Sequence, residues 1–146
     1  MLKQKIKATA ILASTKNTTE PQTKRLPPRV LVVDDNPNQV ASIALLLNLL
    51  GCAVRTANDA MGALEVLKDF LPEFALIDIG LPGIDGLELA RRIRKSDEFK
   101  TIVLIAQTGW GREEDREESR QAGFDHHLTK PLDFKLLENI LTACPE

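Results

Sequence analysis

At 146 residues, 43% hydrophobic and 27% charged, the chain is sized for one globular domain with a single core, and no apolar stretch approaches the roughly 18 residues that a bilayer-spanning helix needs. Its formal net charge of −2 gives no general electrostatic pull toward nucleic acid or an anionic membrane. Cys52 and Cys144 stand alone, with neither CxxC spacing nor a secretory leader, so they read as reduced thiols in a cytosolic setting.

Residues 1–28 carry six basic side chains against Glu20, a balance of +5, whereas the remainder carries 13 basic against 20 acidic, or −7. The polar, Pro-punctuated run "STKNTTEPQTKRLPPR" has the composition of a linker, and this stretch is expected to be a flexible basic tail preceding a domain over 29–143. "RVLVV" then reads as a strand buried on both faces. "PNQVASIALLLNLLG" follows as a helix, with Val40, Ile43, Leu47 and Leu50 at helical spacing and Gly51 as its stop. "CAVRTA" is a short strand near an edge, and "DAMGALEVLKDF" a helix capped by Asn58 or Asp59. "FALIDI" is the third strand; after the turn "LPG", Asp85 with Glu88 resembles a capping box opening "GLELARRIRK". "TIVLIA" is the fourth strand, "REEDREESRQAG" a helix, "FDHHL" the fifth strand, and "DFKLLENILTA" a last helix capped by Asp133.

Five strands alternating with five helices specify right-handed crossovers and a doubly wound parallel sheet. In open sheets of this kind chemistry sits beyond the carboxyl ends of the strands, where strand order reverses. At those ends stand Asp34 and Asp35, Asp78, Thr108, and Lys130-Pro131. With strand order 2-1-3-4-5, the first and third strands are neighbours and Asp78 comes beside the Asp34/Asp35 pair. Three carboxylates in one crevice repel unless a cation compensates, and hard oxygen ligands suit Mg2+. Lys130 adds a point charge and Thr108 a hydroxyl donor. Together they describe a phosphoryl acceptor: Asp78 as an already ionised nucleophile, the metal and lysine neutralising charge, the hydroxyl bonding a phosphate oxygen.

The set Asp34-Asp35, Asp78, Thr108 and Lys130-Pro131, in this order and each at a strand end, resembles the receiver domain of two-component response regulators over residues 29–143. The wording "DIGLPGIDG" and "TGWGREEDREESRQAGFDHHLTKP" is similar to receivers of hybrid sensor kinases. The resemblance implies a flavodoxin-like fold, Mg2+, a cis Lys130-Pro131 bond, and transfer of a phosphoryl group to Asp78 from the phosphohistidine of a histidine kinase or histidine phosphotransfer protein. Carried over residue by residue, it makes Asp35 and Asp78 direct metal ligands, Asp34 a ligand directly or through water, and Gly80 a ligand through its carbonyl. Thr108, Gly109, Lys130 and Pro131 become the phosphate-binding and switch set. It implies a cytoplasmic phosphoprotein that passes its signal to a downstream protein, catalysing only its own phosphotransfer and autodephosphorylation. Three residues depart from the pattern: Gly80 lacks a side chain, Trp110 is bulky enough to shield an acyl phosphate from water, and His127 stands where a switch aromatic often lies.

Other readings stay open beside this one. Asp34 and Asp35 also fit a cap of the first helix, Thr108 a turn, and Lys130 a solvated loop charge. His126 and His127, adjacent on a strand, point to opposite faces and read as structural. The helix "REEDREESRQ" has almost no apolar anchor beyond charge pairs such as Glu113 with Arg116 and Glu117 with Arg120, which makes it the expected responder to phosphorylation. Leu45 and Leu49 fall opposite the Val40/Leu47 stripe, and a phosphodonor docking against the first helix would meet them. A phosphatase would show a second carboxylate two residues beyond its nucleophile, where this chain has Gly80. A dinucleotide binder would show GxGxxG where "DDNPNQ" stands. The remaining alternative is a degenerate receiver serving as a phosphorylation-independent protein-binding scaffold.

Overall fold

The computed structural model describes residues 27–109 and 113–143. All but the last two residues of the expected tail therefore lie outside the described residues, as do Trp110 and Cys144. Strands and helices alternate as β1 (Arg29–Val33), α1 (Pro37–Leu49), β2 (Ala53–Ala57), α2 (Ala60–Phe70), β3 (Phe74–Asp78), α3 (Gly86–Lys95), β4 (Val103–Thr108), α4 (Glu113–Ala122), β5 (His126–Thr129) and α5 (Phe134–Thr142). The sheet is parallel throughout, as the alternation predicts, and its order β2-β1-β3-β4-β5 is the flavodoxin-like arrangement that the resemblance implies.

Side-chain alternation along the strands divides the core in two. Leu31, Val33, Ala75, Ile77, Leu104 and Ala106 bury against α2, α3 and the end of α4, through Leu67, Ile93 and Ala122 among others. Val30, Val32, Leu76, Ile105 and Leu128 bury against α1 and α5, through Ile43, Leu47, Leu137 and Leu141. This parity also sorts the strand ends. Asp78 and Gln107, which face each other in the β3–β4 register, share the α1/α5 side with Leu76 and Ile105, and Asp34 and Lys130 continue the same parity beyond Val32 and Leu128. Thr108 and His127 fall on the side of Ala106, toward α4.

Local chemistry sets the helix starts. Asn36, not Asp34 or Asp35, caps α1: its side chain accepts from the N–H groups of Asn38 and Gln39, with Pro37 in the first turn. Asp59, Asp85 and Asp133 cap α2, α3 and α5. The expected capping box at α3 is half made. Asp85 Oδ1 accepts from Glu88 N–H at 2.9 Å, but the Glu88 carboxylate turns along the helix to Arg91 and Arg92, whose hydrogen bonds, that of Arg92 first, hold it below the usual carboxylate range. Two further expectations need correction. Leu50 is the exposed C-cap of α1 rather than a core position, and Val40 is only half-buried, so the buried stripe narrows to Ile43 and Leu47. β5 starts at His126, two residues later than "FDHHL" suggested, because the Asp125 carboxylate and N–H bind Arg94 and the backbone of Leu104 instead.

Candidate functional site

The carboxyl ends of β1 and β3 bring Asp34, Asp35 and Asp78 together, with one oxygen from each lying within 4.8 Å of the others. Asp34 is 1% exposed and Asp78 is buried, while Asp35 faces solvent. Lys130 reaches in from the end of β5, its Nζ 3.4 Å from Asp78 Oδ2 and 3.5 Å from Asp34 Oδ2. The Lys130-Pro131 bond is cis, and Lys130 N–H donates to Thr108 carbonyl oxygen at 2.8 Å, which ties the ends of β4 and β5 together.

Each buried acid is oriented by backbone as well as by charge. Asp34 Oδ1 accepts from Asn36 N–H at 2.9 Å, and Asp78 Oδ1 from Gly80 N–H at 3.0 Å. Burial pushes the Asp34 carboxyl above its ordinary value; the Asn36 N–H opposes this, the Asp78 charge adds to it, and Lys130 pulls it back. At Gly80 a Cβ would stand 3.7 Å from Asp78 Oδ1, an ordinary contact, so a side chain would fit there and glycine leaves that approach open.

Thr108 is buried at the end of β4 and Gly109 is exposed, with open space where a Cβ would lie. His127 lies apart from the carboxylates: its Nδ1 is 3.0 Å from Ser119 Oγ, which also donates to Arg116 carbonyl oxygen, so it links β5 to α4. α4 is anchored by Ser119 and Ala122 and carries the expected Glu117–Arg120 pair. Leu45 and Leu49 are on the open face of α1, 60% and 73% exposed. A groove of about 740 Å³ between α1 and α2 opens beside the acids, lined by Asp34, Asp35, Ala41, Ala44, Gly62 and Val66 among others.

Two residues at the site escaped the sequence reading. Gln107 is fully buried, with Nε2 3.4 Å from Asp34 Oδ2, and its signal was a polar residue at an inward position of an otherwise apolar strand. Gly86, at the start of α3, lies against the backbone of Asp78 and donates its N–H to Ile79 carbonyl oxygen at 3.0 Å. A lone glycine at a helix start carries no such signal.

This arrangement can hold a hard divalent cation, and it places an ammonium against the two buried carboxylates. The model of the response regulator receiver domain family matches residues 30–142. The chain belongs to that family. This receiver is 38% identical over 120 residues to an uncharacterised 14.6 kDa protein of Leptolyngbya boryana, covering 80% of this chain and 92% of that one. It is 41% identical over 105 residues to the virulence transcriptional regulatory protein PhoP of Salmonella typhimurium, covering 71% of this chain and 46% of PhoP, so it spans about half that regulator's length. Among solved structures it resembles the receiver domain of sensor histidine kinase PA1611 from Pseudomonas aeruginosa PAO1, a structure with a magnesium ion coordinated in the active site cleft. That match has a TM-score of 0.73 at 31% identity and covers 80% of this chain and 96% of that one. Residues 30–142 thus form a receiver domain of the two-component signalling family, and among the described residues no helix is long and apolar enough to cross a membrane.

Proposed function

We propose that Asp78 is the phosphoacceptor of this receiver, taking a phosphoryl group from a phosphohistidine partner in a Mg2+-dependent step and passing the signal to a downstream protein in the cytoplasm. The observation that carries this reading is the convergence of three carboxylates with the Lys130 ammonium. One ammonium against three carboxylates leaves two negative charges to be balanced. A divalent cation balances them, and the all-oxygen donor set, without thiolate or imidazole, fits Mg2+. Asp34, Asp35 and Asp78 would hold it, with the Gly80 carbonyl as a further oxygen donor. When bound, the ion neutralises charge on the transferring phosphoryl group and orients it.

The remaining work belongs to this chain's own residues. A carboxylate oxygen of Asp78 forms the new O–P bond as the P–N bond to the donor imidazole breaks, and the electron pair of that bond returns to the ring nitrogen. No general base is required, because a carboxylate oxygen attacks without first giving up a proton. Lys130, held near both buried acids, shields the negative phosphoryl oxygens from the Asp78 carboxylate as they approach. Gly80 N–H keeps the Asp78 carboxyl from rotating away. Thr108 supplies a hydroxyl to a phosphoryl oxygen, and Gly109 lets the chain after it follow. Pro131 sets the direction of the chain after Lys130, and His127, through Ser119, conveys movement of the β4 and β5 ends to α4. Attack of water on the acyl phosphate returns the free carboxylate and inorganic phosphate. Residues 1–28 are proposed as a tail outside the receiver.

The test is intact-mass analysis after incubation with Mg2+ and a small acyl phosphate. The native chain is expected to gain one phosphoryl group, and Asp78→Asn or a chelator to prevent it. Labelling that persists in Asp78→Asn overturns the assignment, and a native chain that is never labelled points to a scaffold.

A further inference from the structure

Gln107 is a fully buried amide on a strand whose neighbouring core positions, Leu104, Ile105 and Ala106, are apolar. An apolar side chain there would join the core without a polar cost, whereas a buried amide is tolerated when both its ends are bonded. Only one end is. Nε2 donates to Asp34 Oδ2 at 3.4 Å, and Oε1 is buried with no hydrogen-bond partner among the described residues. Half-satisfied buried amides weaken a fold, and proteins retain them where they serve a site.

The donor end acts on one carboxylate. Asp34 Oδ1 is held by Asn36 N–H, and Oδ2 faces both Gln107 Nε2 and Lys130 Nζ. Lys130 also faces Asp78, and any phosphoryl group arriving there will draw it away. Gln107 is different: β4 carries it in the middle of the sheet, opposite Asp78 in register, and among the described residues its amide serves Asp34 alone. Asn36 on one oxygen and Gln107 on the other fix the rotation of the Asp34 carboxylate from two separate elements.

We propose that Gln107 is a positioning residue of the cation site, holding the Asp34 carboxylate in the orientation in which it serves a divalent ion. The inference rests on the reading of this site as a Mg2+ centre. It predicts a split that a purely structural residue would not give. Replacing the amide by an apolar side chain of similar shape relieves the unpaired Oε1, so the metal-free fold keeps or gains stability while the ion is held less well. Removal of such an outer hydrogen-bond partner typically weakens metal affinity about tenfold or more.

The experiment compares the native chain, Gln107→Met, Gln107→Leu and Asp35→Asn by calorimetric titration with MgCl2 and by thermal unfolding in a chelator. Expected are Mg2+ binding by the native chain, loss of it in Asp35→Asn, and about tenfold weaker binding in Gln107→Met at an unchanged or higher metal-free midpoint. Gln107→Leu repeats the measurement with a different shape, separating the missing donor from a packing defect. Affinity within twofold of native in both Gln107 variants overturns the proposal, and so does weaker binding accompanied by a lowered metal-free midpoint in both. A native chain that fails to bind Mg2+, or an Asp35→Asn variant that binds it unchanged, removes the metal reading itself and the proposal with it.

Discussion

Gly86 lies so close to the end of β3 that a Cβ at that position would stand 2.6 Å from the Asp78 carbonyl oxygen and 2.7 Å from the Ile79 Cα. Both atoms are backbone, so neither yields as a flexible side chain would. Gly86→Ala is therefore expected to push the end of β3 or the start of α3 aside, costing about 1–3 kcal/mol as overpacking does. It should also slow labelling of Asp78, because the strained segment carries the proposed nucleophile. A urea midpoint and a labelling rate both at the native value would show that the contact is absorbed elsewhere.

Asp34 links the site to pH. Burial raises its folded-state pKa above the ordinary 3.8, so between that value and the raised one the folded protein binds more protons than the unfolded chain. Stability of the metal-free protein contributed by this group thus falls as pH rises through that window, and the cost persists at neutral pH. In a chelator, Asp34→Asn should unfold later than the native chain at neutral pH, the gap shrinking as pH is lowered toward 3.8. Saturating Mg2+ should reverse the order, since an ion at a hundred times its dissociation constant stabilises the native chain by about 2.7 kcal/mol. Melting curves that keep the same order with and without the ion would contradict this.

The alternation of strands and helices, the helix caps at Asp85 and Asp133, and the gathering of acids and lysine were legible, because each follows from a local period or cap signal or from the rule placing sites at strand ends; the strand order came with the family resemblance, and the cap of α2 was narrowed only to Asn58 or Asp59, of which Asp59 is the one. α1 was harder to orient. Leucines occur on both its sides, so spacing alone could not tell the buried Ile43 and Leu47 from the exposed Leu50. Gln107 was hidden by its neighbour: the reading stopped at Thr108 as the strand-end hydroxyl, although strand parity puts Gln107, one residue earlier, on the side of Asp78. Gly86 and Arg94 depend on tertiary approach, which no period in the chain encodes.

Arg94 offers a control on stability without chemistry. From α3 its guanidinium donates to the carbonyl oxygens of Gly123, Lys100 and Ile102 at 2.7–2.8 Å and to Asp125 Oδ2 at 2.7 Å, pinning the loops that enter β4 and β5. Gly123, at φ +116°, lies where a Cβ would meet Arg94 Cγ at 2.6 Å. These contacts sit at the starts of the strands, away from the acids at their ends. Arg94→Met should cost about 2–3 kcal/mol by leaving carbonyls without their charged donor, and Arg94→Lys should recover little because an ammonium cannot fork to several acceptors. Labelling of Asp78 in the folded fraction should stay at the native rate. A stable variant, or one with slowed labelling, would mean the clamp has been misjudged.

α1 presents Leu45 and Leu49 to solvent in a segment, 36–54, that contains no charged residue, although the chain as a whole is 27% charged. Depletion of charge around exposed aliphatic side chains is the composition of an interface centre rather than of an ordinary solvated helix. The helix flanks the groove that opens beside Asp34 and Asp35, so a helical phosphodonor resting on it would be close to the acids. Leu45→Asp should slow transfer from a phosphohistidine protein about tenfold, equivalent to about 1.4 kcal/mol, while leaving the reaction with a small acyl phosphate unchanged, because the small donor needs no surface. Parallel single-turnover assays with the two donors decide it. Equal slowing with both would place the effect in the acceptor site, and no slowing with either would leave these leucines as ordinary exposed side chains.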